Sequence, residues 1–306
     1  MSMVVIGTVF VDVKGYPYDK YSPTGRNSGW VETVHGGVCR NVVEDIANVE
    51  LRPVFLSTVD ESGTGIDVIT RLNNHKVDTK YMRAVKDGMG TWLVIFDNSG
   101  DVAGSISKRF STDGIYDIVC EHGDEIFEDA DCILLEIDMD KNLVKKVFEL
   151  AEKYNKPVYA LVSNMSIAIE RRDFIRRTDC FVCNLQEAGI FWGEDYSERT
   201  ADEMVEIVAG KVGPAGLRNM VVTMGGDGAV YASADGEKGF CPARKVKVKD
   251  TTGAGDSFFA GVSIGLNYGK TLGEACEIGA RLAASVIVTT ENTCPRFLPS
   301  EFGIEI

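Results

Sequence analysis

Short apolar runs, each too brief for a helix, alternate along this chain with longer stretches of helical periodicity, and that order leaves few folds open. The apolar runs are Val4–Val9, Val54–Thr58, Cys132–Ile137, Val158–Val162, Cys180–Cys183, Met220–Thr223 and Ala229–Ala232. Between them, Cys39–Val49, Ile66–His75, Lys141–Tyr154, Ala201–Val212 and Ser257–Leu266 carry helical patterns, and Leu272–Thr290 reads as one long buried helix broken near Gly279. Strands that are apolar throughout, separated by amphipathic helices, predict an α/β fold: a doubly wound, mostly parallel sheet flanked by helices. Neither an internal repeat nor a linker interrupts the pattern, so the 306 residues are expected to form one domain spanning 1–306.

Two stretches depart from it. Lys14–Trp30 is rich in Pro, Gly, Tyr and Asn, and Thr91–Phe96 and Val102–Ile106 flank the turn signal Asp97-Asn98-Ser99-Gly100. A hairpin fits poorly into a doubly wound sheet, so these pieces are expected to form a separate small sheet.

Charge and cysteine usage narrow the function. A net charge of −14 argues against a nucleic-acid surface, which needs concentrated Lys and Arg, and leaves small anions such as ATP open. No run of about eighteen apolar residues suggests a membrane span. The start, Met-Ser-Met-Val-Val-Ile-Gly, reads as a first core strand without the basic region of a signal peptide, and a cytoplasmic location is expected. Cys180-Phe-Val-Cys183 has no second cysteine pair to complete a zinc site and reads as buried strand thiols.

The chemistry concentrates in Asp250-Thr251-Thr252-Gly253-Ala254-Gly255-Asp256-Ser257-Phe258-Phe259, followed by Ala260-Gly261. Gly253, Ala254 and Gly255 leave the backbone bare where a helix begins, so main-chain amides and the helix dipole can cradle an anion. Asp256 falls in the first turn, where a carboxylate either caps the helix or takes a proton from an attacking hydroxyl.

Three further motifs stand at strand ends. Asn184-Leu185-Gln186-Glu187 reads, from its own residues, as a helix N-cap with a capping-box partner three residues on. Thr223-Met224-Gly225-Gly226-Asp227-Gly228 is a glycine turn that makes a hairpin and would let a nucleotide approach the backbone. Asp12 and the segment His35-Gly36-Gly37-Val38-Cys39-Arg40-Asn41 offer an acceptor and a carboxamide for vicinal hydroxyls, or simply a turn and helix polarity. Gly265-Leu-Asn-Tyr-Gly269-Lys270-Thr271 is one residue short of a P-loop and follows a helix. Gly7-Thr8-Val9-Phe10 lacks the later glycines of a dinucleotide fingerprint.

Taken together, Asp250–Gly261, Asn184–Glu187 and Gly225–Gly228 resemble the signatures of the PfkB, or ribokinase-like, carbohydrate kinases, in family order along nearly the whole chain. Within that family, Val11-Asp12-Val13, Gly36-Gly37-Val38-x-Arg40-Asn41 and Met224–Gly228 look most like pseudouridine kinases. Cys39, Val42-Val43-Glu44 and Ser163-Asn164 depart from the usual pattern, on the acceptor side. The resemblance implies a ribokinase-like fold with a small β-sheet lid, formed by segments near 12–35 and 89–110, that often also makes a homodimer contact. It implies phosphoryl transfer from ATP to a primary hydroxyl of a sugar or nucleoside, with pseudouridine favoured and ribose or a ketohexose as the alternative.

By the same resemblance, Asp256 is the catalytic base and the amides of Gly253, Ala254 and Gly255 are the anion hole. Asn184, Glu187, Thr223, Gly225 and Gly228 serve the nucleotide, Glu187 also holding Mg2+ through water, and Asp12, Gly36, Gly37 and Asn41 line the acceptor pocket. Asp250 and the backbone at Thr252 match a potassium site, and Lys108 or Arg109 is either a phosphate contact or a solvated lid charge. A silent sugar-binding protein would have lost the base or the anion hole; both are present.

Overall fold

The computed structural model describes residues 2–98 and 102–305. Ser99 and Gly100 of the expected hairpin turn lie outside the described residues. An eight-stranded sheet runs in the order Lys238–Pro242, Gly228–Ser233, Asn219–Thr223, Cys180–Asn184, Val158–Leu161, Cys132–Glu136, Met3–Ile6, Val54–Leu56. The last six strands are parallel and the first two add an antiparallel hairpin at one edge.

The alternation of side chains along each strand explains why the runs are apolar throughout. Val4 and Ile6 join one core layer while Met3 and Val5 join the other. Ile133 and Leu135 divide from Cys132 and Leu134 in the same way. Helices Asp113–Asp129, Lys141–Tyr154 and Ala201–Val212 cover the first face, and Val38–Asn48, Ala254–Asn267 and Leu272–Val286 cover the second. A strand buried on both faces has no side left for polar residues. Cys180 and Cys183 point to opposite layers, so no single ion or disulfide could join them.

The long C-terminal helix differs from expectation. It passes through Gly279 unbroken and ends at Val286. Gly279 serves packing: a Cβ on Gly261 would lie 2.6 Å from the Gly279 Cα, and one on Gly279 would lie 2.6 Å from the Phe258 carbonyl oxygen. Two bare positions let helices Ala254–Asn267 and Leu272–Val286 cross in backbone contact. The first strand is also shorter than expected, ending at Ile6, and the run at Val54 splits into Val54–Leu56 and Thr58–Val59.

The irregular stretches form the separate small sheet, in the order Gly29–Gly36, Phe10–Pro17, Gly90–Phe96, Val102–Lys108. Asp12, Lys14 and Tyr16 alternate onto one face of it. Tyr16 stacks between Trp30 and Phe96, with centroids 4.4 and 5.0 Å away, which ties three strands together at the far end. The opposite face leaves Val31, Leu93 and Ile106 exposed. Among the described residues no helix is long and apolar enough to cross a membrane.

Candidate active site

Every singled-out motif of the large sheet lies where its parallel strands end, the edge at which open α/β sheets bind ligands. The geometry centres on two helix starts. Asn41, in the first turn of Val38–Asn48, donates from Nδ2 to Asp256 Oδ2 at 2.7 Å. Arg40 Nη1 donates to Asn41 Oδ1 at 2.9 Å, which fixes which end of the carboxamide faces Asp256. Arg40 is itself buried and paired with Glu44 one turn on. Beside this contact, Ser257 Oγ donates to Asp45 Oδ2 at 2.6 Å, and Asp45 Oδ1 accepts from the Cys294 N–H at 2.6 Å. The helix beginning at Val38 is thus joined to the one beginning at Ala254 at both Asp256 and Ser257.

Burial pushes the Asp256 carboxyl up to about 6; Asp12 adds to this, while the Asn41 hydrogen bond and Arg40 oppose it. Such a carboxylate is ionised near neutrality yet basic enough to accept a proton. Its neighbour Gly253 caps the helix with φ +80°, and a Cβ there would lie 2.1 Å from the Asn292 carbonyl oxygen. Glycine is required at 253 on both counts. The Ala254 N–H turns back to the Thr251 carbonyl at 3.2 Å. The amides of Gly253 and of the first turn beyond Ala254 are the ones a helix cannot satisfy from within. Gly255 is exposed, and a Cβ there would have nothing within 4 Å.

On the small sheet, Asp12 is buried and its carboxyl is pushed up to about 6 by that burial, with Lys14 and Arg40 pulling it back. A Cβ on Gly36 would lie 2.4 Å from Asp12 Oδ1, and one on Gly37, at φ +100°, 2.6 Å from the Thr8 carbonyl oxygen. These glycines let strand and helix start close around the Asp12 carboxylate.

A further residue joins them that the motifs did not reveal. Glu136, at the end of strand Cys132–Glu136, accepts from both the N–H and the hydroxyl of Thr8 at 2.8 Å. Burial and the nearby Asp138 raise its carboxyl to about 7 against the two Thr8 bonds. Glu136 and Asp256 both act on the buried thiol of Cys39, which precedes Arg40 and Asn41. The signal was a carboxylate closing an otherwise apolar strand. Thr8, Phe10, Arg109, Phe110 and Glu136 line a cavity of about 250 Å³. Arg109 reaches back to Asp138 Oδ2 at 2.9 Å and to Ser163 Oγ at 3.2 Å, whereas Lys108 pairs with exposed Asp87 away from this edge.

At the end of strand Cys180–Asn184, Asn184 and Glu187 form the reciprocal capping box, at 2.8 and 2.9 Å. The parallel register sets Thr223 beside Asn184. Gly225 has φ +58° in an open turn, while Gly228, at φ +129°, is held by packing, since a Cβ would lie 2.2 Å from the Cys241 carbonyl oxygen. Burial raises the Glu187 carboxyl; Asp138 and Asp256 add to it and the Asn184 N–H opposes it. Asp138 is paired with Arg109, which leaves the partly open Glu187 to meet a divalent ion through water; among the described residues no three His, Cys, Asp or Glu side chains cluster as a metal site. Asp250 is differently placed: its Oδ1 accepts from the Thr252 N–H at 2.8 Å and hydroxyl at 2.7 Å, and its Oδ2 faces Lys14 Nζ at 3.6 Å.

The raised carboxyl of Asp256 sets a pH dependence. For a reaction in which Asp256 takes the proton, turnover is expected to fall about tenfold per pH unit below about 6 and to level off above it. Asn41→Ala removes a bond that favours the ionised form, so the midpoint should move upward in a pH–rate profile. A downward move would contradict the assignment.

Comparison with known proteins speaks to family and fold. Residues 1–300 match the model of the pfkB family carbohydrate kinases. The chain is 31% identical over 292 residues to the guanosine-inosine kinase of Exiguobacterium acetylicum, covering 95% of each. It is 27% identical over 263 residues to the pseudouridine kinase of Escherichia coli (strain K12), covering 85% of this chain and 82% of that one. Among solved structures, Arabidopsis thaliana ribokinase complexed with ribose and ATP superposes with a TM-score of 0.81 at 20% identity, covering 98% of this chain and 97% of that one.

Proposed function

The chain belongs to the pfkB family of carbohydrate kinases, and from that membership we propose that it transfers the γ-phosphoryl group of ATP to the primary hydroxyl of a nucleoside. The observation that carries the reading is the contact of Asn41 with Asp256 directly beside the glycine-capped helix start. It puts a base of near-neutral pKa next to amides that favour an anion, which is what transfer to an alcohol requires.

In this reading the acceptor oxygen forms a bond to the γ-phosphorus as the bond to the β-phosphate oxygen breaks, ADP leaves, and the hydroxyl proton passes to Asp256. Asn41 holds one carboxylate oxygen, leaving the other to receive the proton. The amides of Gly253 and the first helical turn stabilise charge on the transferred group without reorganising. Asp12 and Glu136 accept hydrogen bonds from hydroxyls of the ribose, and the bare backbone at Gly36 and Gly37 lets the sugar approach. Thr223, Gly225 and Asn184 face the nucleotide. Magnesium, when bound, would neutralise the phosphate charge, and Glu187 would hold it through water.

A purine nucleoside, guanosine or inosine, is favoured over pseudouridine by the higher identity and fuller coverage of the guanosine-inosine kinase. A panel of guanosine, inosine, pseudouridine, ribose and fructose, each assayed for ADP formation with ATP, tests it. The expected result is the highest kcat/KM with guanosine or inosine. A free sugar as best acceptor would overturn the nucleoside assignment, and no ADP from any purine or pyrimidine nucleoside or sugar would overturn the kinase.

A further inference from the structure

Kinases that place a potassium ion behind the anion hole need a carboxylate free to hold it, and here that carboxylate is taken. Asp250 Oδ1 is occupied by the N–H and hydroxyl of Thr252. Its Oδ2 faces the ammonium of Lys14, which is 1% exposed. Lys14 enters from the lid strand Phe10–Pro17, on the face that also carries Asp12. Its Nζ also approaches Asn292 Oδ1 at 3.4 Å. The main chain of Asn292 is the group packed against Gly253, the cap of the helix that forms the cradle.

A second cation beside Asp250, itself 23% exposed, would meet the buried Lys14 ammonium across a few ångströms, where like charges repel. The converse is equally plain: a buried ammonium requires a carboxylate partner, and Asp250 with Asp12 supplies that charge. Burial alone would raise the Asp250 carboxyl, yet the Thr252 bonds and Lys14 hold it below its ordinary value, as befits a carboxylate whose counter-ion is already present.

We propose that Lys14 is a tethered counter-ion that takes the place of a monovalent cation behind the anion hole, so that this protein needs no potassium. Lys14 is then a positioning residue. It steadies Asp250 and, through Asn292, the backbone at Gly253, and because it rides on the lid it couples lid placement to the shape of the phosphate cradle. This rests on the kinase reading for its consequence, though the site itself is independent of that reading.

Two measurements test it. The first uses the ligand-free protein and no activity. Wild type should melt at the same temperature in potassium chloride and in tetramethylammonium chloride at equal ionic strength, whereas Lys14→Met, with Asp250 uncompensated, should melt lower in tetramethylammonium and be raised specifically by potassium. The second is the rate of ADP formation with the best acceptor of the panel. Wild type should turn over equally in the two salts. K14M should be slower by roughly ten- to a hundredfold in tetramethylammonium, the range for removing a group that positions a site from behind it, and should recover in potassium. A wild type whose melting temperature or rate responds specifically to potassium overturns the proposal. So does a K14M protein that is as fast as wild type without potassium, or one that is slow and indifferent to it. If K14M does not fold, the wild-type comparison alone decides. Absence of ADP formation in every salt would count against the kinase reading and leave the melting comparison to decide on Lys14.

Discussion

Asp256→Asn is expected to lower turnover by ~10²–10⁴-fold, the contribution of a positioned general base, while leaving the affinity for ATP nearly unchanged. The substitution keeps the shape of the side chain and its place in the first turn of helix Ala254–Asn267, so amides and phosphates should meet as before. Only the ability to take the proton is lost. The same change should raise the melting temperature of the ligand-free protein at pH 8. A buried carboxyl raised from 3.8 to about 6 favours the folded state most when protonated. That stability is fully present below the unfolded value and is lost as the pH rises through about 6. An asparagine does not ionise, so the loss at high pH disappears. Single-turnover kinetics, ATP titration and melting curves at pH 5 and pH 8 read the three effects. An Asn variant with wild-type turnover would remove Asp256 from the chemistry.

Gly253→Ala is the second large effect. At φ +80° an alanine is strained, and its Cβ would stand 2.1 Å from the Asn292 carbonyl oxygen, so the backbone must move. The fold should lose about 1–3 kcal/mol, the cost of such a conformation. Turnover should fall by ~10²–10³-fold, as when one donor of an oxyanion hole is lost. Gly255→Ala is the control: nothing lies within 4 Å of its Cβ position, so melting should match wild type. Equal turnover in wild type and the Gly253 variant would show that the cradle does not act on the transferred group.

The sequence was most legible where burial is complete on both sides. Runs such as Met220–Thr223 and Cys132–Ile137 are apolar because each strand feeds two core layers, and no partner need be known to read them. The glycine-rich start of helix Ala254–Asn267 was legible for a local reason, since bare backbone and an acidic first turn follow one another in the chain. The lid was harder. In strand Phe10–Pro17 the inward residues include Asp12 and Lys14, so polarity runs opposite to the usual alternation and hides the strand. Glu136 and Lys14 were missed because their partners are remote: Thr8 is 128 residues from Glu136, and Asn292 is 278 from Lys14. A charge inside a buried strand announces that a partner exists without naming it. Gly279 shows the reverse error, a residue read as a helix break that is a packing contact.

Base, anion cradle and acceptor hydroxyl must converge on one phosphoryl group, and a crystal structure with guanosine and a non-hydrolysable ATP analogue measures that convergence directly. The expected result is the primary hydroxyl about 2.6–3.2 Å from the Asp256 carboxylate, with the terminal phosphate against the amides of Gly253 and the first helical turn. A nucleotide whose phosphates lie away from that helix start, or a hydroxyl out of reach of Asp256, would contradict it.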